Sequence, residues 1–178
     1  MGLFTNRTRH GERAYHQKKL EMEKAQVDEL VLTIYCQEKV WDENYAEIQS
    51  IPEPVFQLFP GSRRDCLKVE SNGILRRMKR NKKKAVRLLI RINQRYELLA
   101  DEGAAPTLRK HHTEHDVEIA EAELDILITQ LAKEIEERDR RTDEMKAEKA
   151  ELVEKIAKRQ AQTPVSYTHL TLPTILRV

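Results

Sequence analysis

Leu20, Val27, Ile34, Trp41 and Ile48 recur every seven residues, and Leu30 and Val31 widen the stripe beside them. Residues seven apart on an α-helix return to nearly the same face after two turns. A stripe of this kind in an otherwise polar segment predicts an amphipathic helix over residues 12–50. Pro52 and Pro54 end it, since each lacks an N–H and drives the preceding residue out of the α region. Val55, Phe56, Leu58 and Phe59 then form a short apolar plug within a proline-broken linker, 51–73, that closes at Asn72-Gly73. A basic helix is predicted over 74–101, where Leu75, Met78, Ala85, Leu89, Ile92, Tyr96 and Leu99 alternate three and four apart and Lys82 intrudes at an apolar position. Gly103 and Pro106 punctuate its end.

A charged coiled-coil helix follows over 107–162, starting at Thr107 or at Thr113, where Asp116 three residues on makes a capping box. Val117, Leu124, Leu131, Met145 and Leu152 occupy one seam position and Ile128, Ile135 and Ile156 the other. Glu121, Arg138, Thr142 and Lys149 interrupt the seam, and polar seam residues lower stability while fixing register and partner number. The fold expected is all-α: elongated helices with coiled-coil heptads, proline and glycine breaks, and no globular core. Narrow seams on charged helices cannot bury themselves, so coiled-coil partners, a second copy or another protein, are expected.

Composition agrees with rods. Charged residues make up 35% of the chain and aromatics 5%, leaving little large apolar surface to fill a centre. No apolar run is long enough for a signal peptide or a membrane span, so a cytoplasmic location without membrane contact is expected. Cys36 and Cys66 form no C-x-x-C pair, and Cys36, beside Leu32 and Val40 on its helix, is expected to be a buried thiol. His111 and His115 have the i,i+4 spacing of zinc ligands, but His112 stands where a zinc-protease helix has Glu, and no third ligand accompanies them. No phosphate loop, nucleophile elbow or paired-carboxylate motif is present, so no catalytic residue, metal or cofactor is expected, and the chain is not read as an enzyme.

Charge adds one sharp feature. The net charge of +2 conceals a run of Arg76, Arg77, Lys79, Arg80, Lys82, Lys83 and Lys84, extended by Arg87, Arg91 and Arg95. Such a helix attracts polyanions. Three partners fit: the acidic tails of tubulin, an acidic helix of a neighbouring chain, or nucleic acid. Nucleic acid is disfavoured because neither an aromatic platform nor a recognition fold accompanies the charge. A nuclear or nucleic-acid-associated coiled coil using the basic helix is the alternative reading.

Two resemblances bear on origin. Leu20-Glu21-Met22-Glu23-Lys24-Ala25-Gln26-Val27-Asp28-Glu29-Leu30-Val31-Leu32-Thr33-Ile34-Tyr35 resembles coiled-coil stretches of the cilia- and flagella-associated proteins that join WD-repeat propellers to long helices. Ile51-Pro52-Glu53-Pro54-Val55-Phe56-Gln57-Leu58-Phe59 before a basic cluster is similar to a proline-broken junction of that family. The resemblance implies a structural role on axonemal microtubules of a cilium or flagellum, with tubulin or dynein components as partners in tethering the motor. The end of the chain, from Pro164 through Leu170 to Val178, resembles translated sequencing-adaptor read-through. Residues 163–178 are therefore expected to be a non-native or disordered tail, and the natural protein to continue past Gln162.

Overall fold

The computed structural model describes residues 3–52, 61–100, 108–109 and 111–162, with side chains described from residue 11 to 161 within those spans. Three helices account for nearly all of them: α1, Leu3–Ser50; α2, Arg63–Ala100; and α3, Glu114–Gln162. No strand occurs among the described residues, so the all-α class holds. The apolar plug, the Gly103–Pro106 punctuation and the tail lie outside the described residues. The chain divides into two compact units, Met1–Glu134 and Ile135–Val178.

Local chemistry accounts for the end of α1 and the starts of α2 and α3. Ser50 Oγ and the Ile51 N–H both donate to the Glu47 carbonyl, at 2.7 and 3.2 Å, closing α1 before Pro52. Gly61 takes a φ of 116°, a conformation that side chains with a Cβ rarely adopt, and so turns the chain into α2. Ser62 caps α2, its hydroxyl accepting from the Asp65 N–H at 3.3 Å. Starting at Arg63, α2 runs straight through Asn72-Gly73, where the sequence pattern placed a break. An interior glycine costs about 1 kcal/mol relative to alanine. Burial of Leu67, Ser71 and Ile74 along the same stretch offsets that cost and carries the helix across.

For α3 the start is Thr113. Its N–H donates to Asp116 Oδ2 at 2.8 Å, and the Asp116 N–H returns a bond to Thr113 Oγ1 at 3.2 Å, a reciprocal capping box with Asp in place of Glu. The backbone bond, and after it the Thr113 hydroxyl, hold the Asp116 carboxyl below its ordinary pKa. That contribution is present above the ordinary carboxylate pKa and is lost as pH falls through the lowered one. Thr113→Ala is expected to cost about 1 kcal/mol of stability in urea unfolding.

In the first unit α1 and α2 form an antiparallel hairpin, as successive cross-helix pairs show. Glu47 meets Arg63, Glu38 meets Lys82, Gln37 meets Asn81, and Glu23 meets Arg95. Leu20, Val27, Leu30, Val31 and Ile34 of α1 join Ala85, Val86, Leu88, Leu89, Ile90 and Ile92 of α2 and Ala120 and Leu124 of α3 in one hydrophobic core. The expectation of no core is thereby corrected. In the first unit, seam residues of α1, α2 and the start of α3 bury one another, because the chain folds back and α2 is covered from two sides. Ile128 and Leu131 are partly buried against this core.

Other expectations shift in the same way. Trp41 is only half-buried and stacks on Tyr45, with ring centroids 5.3 Å apart. Tyr96 is exposed and carries the Lys24 ammonium 4.8 Å above its ring. Cys36 is exposed, not buried, since it shares with Leu32 and Val40 a face turned away from the Val27–Ile34 stripe.

Candidate functional site

The cations singled out on α2 separate into three groups by environment. Arg76, Arg77, Lys79, Arg80, Lys83, Lys84 and Arg87 are exposed, and among the described residues none of them forms an ion pair. They are held outward because Met78, Ala85, Leu88 and Leu89 take the inward positions of the same turns. Lys82 is the intruder in the apolar pattern. It lies half-buried with Nζ 2.9 Å from Glu38 Oε1, and Asn81 beside it donates to Gln37 Oε1 at 3.3 Å. Lys82 is thus engaged with α1, with less of its charge free for a partner.

Arg95 leaves the basic face altogether. It is buried, and its Nε and Nη2 donate to the two carboxylate oxygens of Glu23 at 2.7 and 3.2 Å. Its Nη1 lies 2.7 Å from His16 Nδ1. Arg91 Nε stands 3.7 Å from Glu23 Oε1 at the edge of the cluster. The extension of the binding face through Arg91 and Arg95 is corrected accordingly, since the buried carboxylate of Glu23 draws both toward α1.

Between α2 and the first turns of α3 lies an open cleft of about 540 Å³. Val86, Ile90, Val117 and Leu124 line its apolar part, with Lys79, Lys82, Lys83 and Arg87 on the α2 side and Glu121 and Asp125 on the α3 side. Asn93 Nδ2 donates to Glu123 Oε2 of α3 at 3.1 Å, and Gln94 Nε2 lies 3.3 Å from Nδ1 of His112, just before α3, two contacts that hold this part of the chain against α2. Glu121, which interrupts the seam in the sequence, is thus placed opposite the cations. The acidic character of α3 near its start was the available signal; its pairing with α2 required knowing that the chain folds back. The arrangement sets cations on one side of an apolar floor and carboxylates on the other, with the α2 cations outside the cleft left to face an acidic surface.

His111, His112 and His115 are exposed, and His115 Nδ1 stands 3.9 Å from Glu118 Oε2. Among the described residues no three His, Cys, Asp or Glu side chains converge as a metal site. No described helix is long and apolar enough to cross a membrane. Comparison with known protein families, with curated proteins and with solved structures finds no match to this chain.

Proposed function

We propose that this chain is a structural scaffold, with no catalytic role, that joins an acidic surface to partner helices. The observation that carries the proposal is the exposed cation face of Arg76, Arg77, Lys79, Arg80, Lys83, Lys84 and Arg87, without ion pairs among the described residues, on a helix whose other side is locked into a core. A rigidly held array of like charges gains more on meeting a polyanion than a flexible one, because less ordering is required at contact. The microtubule lattice, with its acidic tubulin tails, is the surface proposed, in the setting of a ciliary axoneme where the scaffold tethers dynein. That setting is supported by the resemblance of residues 20–35 and 51–59 to axonemal coiled coils.

Reversing Lys79, Lys83 and Lys84 to Glu, while sparing Lys82 and its hairpin contact, is expected to lower microtubule affinity by about tenfold or more at low salt. Helicity by circular dichroism should stay unchanged. Co-pelleting with intact microtubules and with microtubules stripped of their acidic tails is the measurement. Binding that survives both the triple reversal and tail removal would refute the proposal. Equal retention by duplex DNA would favour a nucleic-acid role instead.

A further inference from the structure

The second unit presents an apolar stripe with no cover among the described residues. Met145, Leu152 and Ile156 are 63%, 58% and 55% exposed. Ile at one seam position and Leu at the other fix the heptad lettering. Ile135, Thr142, Lys149 and Ile156 are a residues, Arg138, Met145 and Leu152 are d, Arg141 and Glu148 are g, and Asp139 and Lys146 are e.

Charges at e and g decide which way a partner helix runs. In a parallel, in-register pair of two copies, g faces the e residue of the next heptad, so Arg141 meets Lys146 of the second copy. Arg138 and Lys149 would each also meet their own counterparts. In an antiparallel pair a faces d, g faces g and e faces e. With the two-fold axis between Asp143 and Glu144, Ile135 then meets Leu152 of the second copy, and Thr142 meets Met145. Around them Arg141 meets Glu148 and Asp139 meets Lys146, every pair occurring twice.

Sliding this arrangement by one heptad destroys the match. In one direction Arg141 faces Arg141 and Asp139 faces Asp139; in the other Glu148 faces Glu148 and Lys146 faces Lys146. We propose that the second half of α3 pairs antiparallel with a second copy of this chain about an axis between Asp143 and Glu144. The two symmetry-related unfavourable layers set Arg138 beside Lys149 of the second copy, where long stems let both charges reach water. Polar layers of this kind lower stability while fixing register. The present in-helix pairs of Arg141 with Glu137 and of Lys146 with Asp143 are exposed and too weak to hold these residues back from new partners.

This pairing deepens the scaffold reading and rests on its premise that the heptad stripe takes a partner helix. Sedimentation velocity on the full chain over a concentration series tests it, with Arg141→Glu and with Arg141→Glu combined with Glu148→Lys. The wild-type chain is expected to dimerise. The single variant should weaken the dimer by about tenfold, since it places Glu against Glu148 twice, and the double variant should restore it. A chain that stays monomeric, a single variant that tightens by meeting Lys146 in a parallel pair, or a double variant without recovery overturns the proposal. Microtubule pelleting by a monomeric chain would leave the basic-face reading standing, so the two fail separately.

Discussion

Replacing Glu23 with alanine is expected to destabilise the α1–α2 hairpin by about 3–5 kcal/mol, because it strands the Arg95 guanidinium in the core. The Glu23 and Arg95 side chains are 8% and 6% exposed, and the carboxylate receives two guanidinium bonds in a fork. Arginine cannot relieve the loss by giving up a proton. The His16 imidazole beside it would remain, and one imidazole nitrogen does not replace a carboxylate. Removing both charges together, as Glu23→Leu with Arg95→Met, should recover most of the loss, since the cost of breaking a buried pair comes mainly from the charge left behind. Alanine at Glu38, whose partner Lys82 is 37% exposed, should cost at most about 1 kcal/mol. Urea unfolding followed by circular dichroism distinguishes these cases. A Glu23→Ala loss no larger than that of Glu38→Ala would show that water reaches the cluster.

Sequence pattern served α1 well and α2 poorly, and the reason is geometric. Leu20, Val27, Ile34 and Ile48 are buried as their interval predicts, because α1 contributes one face to the core. The middle helix contributes two. Val86 and Ile90 line the cleft toward α3 while Leu88 lies beside Gln26 of α1, so Val86, Leu88 and Ile90 are buried along with the expected Ala85, Leu89 and Ile92. A single 3-4 alternation cannot describe a helix covered on both sides. The run from Arg76 to Arg87 was legible as charge, and its exposed part needed no tertiary knowledge. Arg95 was not, because its burial depends on Glu23 and His16, far away in sequence on another helix. The acidic side of the cleft, Glu121 and Asp125, was hidden for the same reason.

Two leucines of this chain should differ in how truncation depends on protein concentration. Leu88 is 2% exposed and sits in the helix that both neighbours cover, where the surroundings have least room to collapse into a hole. Leu88→Ala is therefore expected to cost about 2–5 kcal/mol, and to do so at every protein concentration. Leu152 is 58% exposed on the second unit, so within one chain Leu152→Ala should change stability by no more than about 0.5 kcal/mol. Its effect should appear only where a second copy covers it opposite Ile135. Thermal unfolding of each variant across a dilution series reads the difference directly. For Leu88→Ala the midpoint falls by a constant amount relative to wild type. For Leu152→Ala the deficit grows with concentration, because binding between copies stabilises the wild-type chain by mass action and the variant lacks it. A Leu152→Ala deficit that is large in the dilute limit would instead mean that this side chain is buried within its own chain.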